Sequence, residues 1–229
     1  MIEHRPFASL GHANHGWLDA HHHFSFAGYH DPARMGWGAL RVWNDDRIAA
    51  GAGFPPHGHR DMEIVTFARD GAISHKDSLG NVGRTVAGDV QVMSAGRGIQ
   101  HSEFNREAVE TGIFQIWIEP RETGAEPRWA TREFRGTDGL VVLASGYETD
   151  ADALPIRADA RLLSLSLGAG ETATLDLSSH RHAYIVGDSG SFTLGGIAAS
   201  ARDGFAVRDE AGVEVTADED ARLLIVQTV

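Results

Sequence analysis

The chain contains no cysteine. Disulfides, zinc–thiolate fingers, iron–sulfur clusters and cysteine nucleophiles are thereby excluded, and any metal must be held by imidazole and carboxylate. No apolar run is long enough to span a bilayer, so no membrane partner is expected. The opening residues, MIEHRPFASLGH, lack the charged-then-apolar layout of an export signal, which points to a cytoplasmic location. Basic residues are scarce, 20 Lys and Arg against 32 Asp and Glu, for a formal net charge of -12. That average field repels a phosphate backbone and no Lys/Arg-rich run offers a local exception, so direct nucleic-acid binding is not expected.

Glycine, in contrast, is abundant and recurs as punctuation in AAGAGF, RDGA, SLGNVG, VAGDV and SAGRG. Between these turns lie short segments of strand character: LRVW (40–43), EIVTFA (63–68), DVQVMS (89–94) and GIFQIWI (112–118). In the last, Phe114, Ile116 and Ile118 would face one way and Ile113, Gln115 and Trp117 the other, with Gln115 aimed at something wet or polar. The stretch 120–137, rich in Pro, Gly and charge, reads as a connector. Strand-like segments then resume at 140–145, 161–167, 171–177, 182–188, 191–196, 204–209 and 222–228, with no sustained helical period. Many short strands with glycine turns predict an all-β chain of two β-rich units, residues 1–130 and 131–229.

The chemistry concentrates in two short stretches, FPPHGHRDMEIV and GRGIQHSEFN. His57 and His59 stand at i and i+2, so on an extended strand both imidazoles share a face. His101 and Glu103 repeat that spacing. Turn-forming residues precede each pair (Pro55 and Pro56; Gly96 and Gly98), which predicts ligands at the beginnings of strands. If the strands are neighbours, three nitrogens and one oxygen surround one divalent ion. That set suits Fe(II), Mn(II), Co(II), Ni(II), Cu(II) or Zn(II). An ion taking five or six ligands keeps one or two positions open for chemistry. A lone His-x-His is usually decoration; it is the second strand that makes the pattern informative.

The wider spacing resembles the two motifs of a cupin barrel: Gly51, five residues, His57-x-His59, three residues, Glu63, then Gly71; and Gly88, Gly96, His101 and Asn105. More narrowly, the chain resembles the pirin family. The likeness rests on HHFSFAGYHDP (22–32), GWGALRVWNDD (36–46), PHGHRDMEIVTF, HKDSLGN (75–81), GDVQVMSAGRGIQHSE and FQIWIEP. It covers most of residues 1–130 and, beyond them, the strand pattern only. The resemblance implies a bicupin, two tandem jelly-roll-type barrels, with a mononuclear and usually iron-containing site in the first. Motif to motif, the family's ligands fall on His57, His59, His101 and Glu103. Most cupins take their carboxylate from the first motif, here Glu63, whose parity would also point it inward on an unbroken strand. The pirin pattern ranks Glu103 as ligand and Glu63 either as a support for an imidazole N–H or as satisfied elsewhere.

Other features carry less. His21, His22 and His23 align with a family stretch that implies a structural role. His180 and His182 form a second His-x-His, but the downstream DGFAVRDEAGVEV has no histidine, so the second barrel is expected to lack metal and the pair to be solvated or at a domain interface. GDSG (187–190) reads as a hairpin turn and DEDA as a solvated loop.

The resemblance further implies a quercetin 2,3-dioxygenase, which opens the central ring of a flavonol with O₂ and releases carbon monoxide and a depside. Such a site would hold the flavonol 3-hydroxyl at the metal, with Glu103 as ligand and base in turn. Motif adjacency and parity suggest Phe54, Met93 and Phe114 as walls for the aromatic rings. Two alternatives accompany this reading: a metal-dependent regulator acting through a protein partner, and a dioxygenase for another phenolic substrate.

Overall fold

The computed structural model describes residues 1–178 and 182–229. The first half contains strands β1 (Ile2–Arg5), β2 (Gly11–Asn14), β3 (Leu18–His22), β4 (Leu40–Ile48), β5 (Gly53–His59) and β6 (Glu63–Asp70). It continues with β7 (Ala72–Asp77), β8 (Val82–Val86), β9 (Val90–Ser94), β10 (Ile99–Phe104), β11 (Thr111–Ile118) and β12 (Arg128–Arg132). Two sheets make the first barrel, a seven-stranded one ordered β12-β9-β6-β11-β4-β3-β2 and a four-stranded one ordered β5-β10-β7-β8. The second half repeats this plan with another seven-stranded and another four-stranded sheet. Two double-sheet jelly rolls are therefore present: the strand pattern predicted two β-rich units and the family resemblance their barrel form, and among the described residues none forms a helix that could cross a membrane.

Two details depart from the sequence reading. The stretch 120–137 is not only a connector, since Arg128–Arg132 pairs with Val90–Ser94 and closes the edge of the first sheet. In addition, β1 pairs with Gly204–Arg208, so the first strand of the chain belongs to the sheet of the second half.

The two large sheets stack on each other, and alternation explains how. On β11, Phe114, Ile116 and Ile118 enter the core shared by both halves, where they meet Leu162, Tyr184, Val186 and Leu224. The neighbours of these last residues, such as Leu163, Ile185 and Leu223, fill the interior of the second barrel together with Phe192, Phe205 and Val215. Charge also joins the halves. Arg69 bonds Asp45 at 3.1 Å and Asp188 at 2.9 Å, while Arg202 holds Asp45 and Arg222 holds Asp188. His182 packs edge-on against Trp37, an interface position; His180 lies outside the described residues. Gly187–Gly190 is not the hairpin turn expected: His182–Ser189 and Ser191–Leu194 belong to different sheets, and the chain passes from one to the other at Gly190, at φ +76, where a Cβ would strike the Asp220 carbonyl.

The interior of the first barrel is filled differently. Its apolar residues form two small clusters, one around Leu18, Ile48, Ile73 and Ile113, the other around Ile64, Met93 and Ile99. Between them runs a row of polar side chains and an open cavity.

Candidate metal centre

β5 is the edge of its sheet and pairs antiparallel with β10, so the two ligand stretches are neighbours. His57 stands opposite His101, His59 opposite Ile99, and Glu103 opposite Phe54, with the register shifting between His101 and Glu103. The prolines behave otherwise than expected: they lie within β5, and His57 and His59 fall at its end. An edge strand at a ladder irregularity tolerates residues that cannot donate, so Pro55 and Pro56 do not end the strand.

The donor atoms of His57, His59 and His101 all lie within 4.8 Å of one another. Their hydrogen bonds assign the tautomers. His57 Nδ1 donates to the Pro55 carbonyl at 2.8 Å, which leaves Nε2 as a bare lone pair. On the far side of His101, Asp77 Oδ2 accepts from His75 Nε2 at 3.0 Å, so His75 Nδ1 is an acceptor, and it faces His101 Nδ1 at 3.4 Å. His101 Nδ1 therefore carries the hydrogen, and its Nε2 is also bare. The two Nε2 atoms face each other at 3.0 Å. Two lone pairs at that distance repel unless a cation lies between them. Two nitrogens bound at about 2.1 Å and at right angles to one ion would be about 3.0 Å apart, so the residues fit a divalent metal. Burial, followed by the charge of neighbouring imidazoles, lowers the pKa of His59 to about 4 and of His101 to about 3. Both are neutral near pH 7, as ligation requires.

His75 thus fills the supporting role considered for Glu63. It also stacks on Trp129, with centroids 4.8 Å apart and planes 8° from parallel. Glu63 is satisfied elsewhere, accepting from Ser94 Oγ at 2.6 Å on the face turned towards Arg128 and Arg157. The parity argument for it fails because the chain turns at residues 60–62, with Asp61 at φ 46, and Glu63 begins a strand of the other sheet.

Glu103 comes within ligand range of His101 and His75, forming a second donor group, and does not join the tight cluster of His57, His59 and His101. It is 1% exposed. Gln91 Nε2 donates to Oε1 at 2.6 Å and Gln115 Nε2 to Oε2 at 2.9 Å. Burial pushes its pKa up to about 7 against the opposing bonds from Gln115, Gln91 and Thr66. These partners belong to a row that crosses five strands in register: His22 beside Asn44, Asn44 beside Gln115, Gln115 beside Thr66, Thr66 beside Gln91. The sequence signal was one polar residue, or two on β4, on the inward face of each otherwise apolar strand, and it was followed only for Gln115.

One end of the row opens into a cavity of ≈ 560 Å³, within the size range of small-molecule sites. It is lined by Phe54, His57 and His59 of β5 and, from the inward face of the large sheet, by Leu18, Ala20, His22, Asp46, Gln115 and Trp117. Of the three proposed wall residues, Phe54 is on the cavity. Met93 packs in the cluster with Ile64 and Ile99, and Phe114 faces the core between the halves beneath the Arg69 guanidinium, because inward parity on β11 belongs to Gln115 and Trp117. Burial, then the charges of Asp45 and Glu103, push the Asp46 carboxyl well above its usual range.

The three adjacent histidines part ways. His22 Nδ1 meets Asn44 Oδ1 at 2.8 Å, His23 Nδ1 meets the Tyr184 hydroxyl at 2.9 Å in the interface, and His21 stacks on His12 near Asp19 on the outer face of the hairpin.

Comparison with known proteins agrees with this architecture. A family model described as Pirin matches residues 3–118, and one described as Quercetinase C-terminal cupin domain matches 142–227. A pirin-like protein of Caulobacter vibrioides is 58% identical, covering 99% of each chain. A quercetin 2,3-dioxygenase of Escherichia coli K12 is 42% identical over 98% of this chain and 97% of its own. The crystal structure of bacterial pirin YhhW from Escherichia coli in complex with nickel(II) superposes with a TM-score of 0.95 at 41% identity, covering 100% of this chain and 99% of that one. With its two tandem cupin barrels, the chain belongs to the pirin family.

Proposed function

We propose that the protein is a metal-dependent dioxygenase of the quercetin 2,3-dioxygenase type, which consumes O₂ and cleaves a flavonol to a depside and carbon monoxide. The reading is carried by one observation: the Nε2 atoms of His57 and His101 converge at 3.0 Å beside an apolar cavity and the buried carboxyl of Glu103. Relatives named quercetin 2,3-dioxygenase support it.

His57, His59 and His101 would hold the metal, with Glu103 as the fourth ligand. Iron is the ion the family resemblance favours, and the nickel complex of the Escherichia coli relative keeps nickel in consideration. When bound, the ion supplies a Lewis acid that lowers the pKa of a substrate hydroxyl. The chain does the rest. Glu103 holds the proton: its buried carboxylate accepts it from the substrate hydroxyl and returns it. Gln91 and Gln115 fix the Glu103 oxygens, and Gln115 also reaches the cavity, so it links the carboxyl to the ligand. Trp117 Nε1 donates to Gln115 Oε1 at 3.2 Å and sets the amide's orientation. Phe54, Leu18 and Ala20 give flat, apolar walls suited to aromatic rings and exclude water from them.

The test is aerobic incubation of the Fe(II)-, Mn(II)- or Ni(II)-loaded protein with quercetin, following flavonol absorbance, O₂ uptake and carbon monoxide. Turnover that releases carbon monoxide and is lost in His101→Ala and Glu103→Ala is expected. No turnover with any of the three metals, despite one bound ion per chain, would refute the assignment and favour a regulator.

A further inference from the structure

Asp46 is used by nothing in the account above. It lies on the inward face of β4, two residues from Asn44, lines the cavity and is 2% exposed. Its Oδ1 is buried without a hydrogen-bond partner, and among the described residues no Lys or Arg pairs with it. The surrounding polar groups are all engaged: Asn44 with His22, Gln115 with Glu103 and Trp117. A buried polar atom left unsatisfied weakens the fold, and a carboxyl more than most. The packing around it does not call for a carboxyl, since its partners across the sheet are Ala20 and Ile113 and the next inward residue is Ile48, all in one apolar cluster. The unmet hydrogen bond is therefore directed at whatever fills the cavity.

We infer that Asp46 is a specificity-determining residue: its carboxyl receives a hydroxyl borne on the ring system of a bound aromatic substrate, a hydroxyl distinct from the one that faces the imidazole cluster. The inference rests on the aromatic-substrate reading and adds to it which substrates the site selects. A hydroxyl is the group of choice because it both donates and accepts, so it satisfies the carboxyl in either protonation state, whereas a carbonyl or ether serves only the protonated form. The apolar walls require the rest of the ligand to be flat and hydrophobic. A polyhydroxylated flavonol has this chemistry, and an unadorned one does not.

The experiment uses the full metal-loaded chain without O₂ and two probes, 3-hydroxyflavone and quercetin, the second carrying ring hydroxyls that the first lacks. Affinity is read from tryptophan fluorescence quenching, for which Trp117 on the cavity wall is the reporter. Wild type should bind quercetin the more tightly. Asp46→Leu should lower quercetin affinity roughly 10-fold while leaving 3-hydroxyflavone unchanged, as expected for the loss of one buried hydrogen bond. Asp46→Asn, whose amide can still meet a hydroxyl, should fall between the two and provides the test if the leucine variant does not fold. Both variants should melt no lower than wild type, because an unsatisfied carboxyl has been removed. Equal losses for both probes, or a lowered melting temperature with quercetin preference intact, would make Asp46 a structural residue and overturn the inference. If wild type binds neither probe, the flavonol reading itself falls, and this assignment falls with it.

Discussion

The orientation of His101 depends on a chain of hydrogen bonds that a single isosteric change should invert. Asp77 Oδ1 accepts from the backbone N–H of Leu79 at 2.9 Å and of Asn81 at 3.0 Å, while Oδ2 accepts from His75 Nε2 and from Asn81 Nδ2, a side-chain amide that, unlike the backbone donors, can turn to present its oxygen instead. In Asp77→Asn the two backbone donors keep the amide oxygen at the Oδ1 position, so the NH₂ group must face His75. His75 Nε2 then becomes an acceptor and its Nδ1 carries the hydrogen. His101 Nδ1 must accept in turn, which puts the hydrogen of the neutral ring on Nε2, the atom that faces His57. Metal binding would have to undo that tautomer. Loss of a metal-supporting hydrogen bond typically costs 10- to 100-fold in affinity, and a wrong tautomer should reach about 100-fold or more. His75→Phe keeps the stack on Trp129 and only deletes the acceptor, so about 10-fold is expected from a bond as long as 3.4 Å. Competition against a chelator of known affinity measures both. Asp77→Asn binding metal as tightly as wild type would refute the tautomer argument.

Glu63→Gln, by contrast, should leave metal affinity within twofold of wild type in the same competition, because its carboxyl bonds Ser94 on the opposite face of the sheet. Replacing Arg69 with Met leaves Asp45 and Asp188 each with one remaining arginine. The expected loss is near the low end of the range for breaking a buried ion pair, about 3 kcal/mol, read from urea unfolding. Below pH 6.5 the metal-free protein should lose stability as pH falls towards about 4 and then 3, a loss partly offset down to about pH 4.5 by the proton that folded Glu103 already holds. Over that window the unfolded chain takes up protons that folded His59 and His101 refuse. His101→Gln should remove the lower part of that dependence, and an unchanged profile would count against the buried, neutral imidazole. Gly83→Ala should destabilise the fold and weaken metal binding together, since its Cβ would fall 2.1 Å from Trp129, the ring on which His75 rests.

The strands were legible because their alternation is intact: GIFQIWI sends Phe114 to the core and Gln115 to the site as parity requires. The ligand stretches were legible because i, i+2 spacing on neighbouring strands is enough to bring imidazoles together. Other features were not. Prolines mark turns in general, yet Pro55 and Pro56 are strand residues because only an edge position relieves them of donating. Parity counted from His59 misassigned Glu63, because parity does not survive a change of sheet. The polar row from His22 to Gln91 is spread over five strands, and only the register, a long-range property, aligns residues that look solitary in the chain. His75 shares this history: it lies 26 residues before His101 in sequence but only 3.4 Å away. Likewise, nothing in IEHR indicates pairing with Gly204–Arg208.

The most direct test of the account is an anomalous diffraction map of the metal-loaded protein, collected at the absorption edge of the ion. A single peak is expected between His57 Nε2 and His101 Nε2, within bonding distance of His59 and a Glu103 oxygen. A peak at any other group of side chains, or none at this one after loading, would contradict the metal centre on which the proposed chemistry depends.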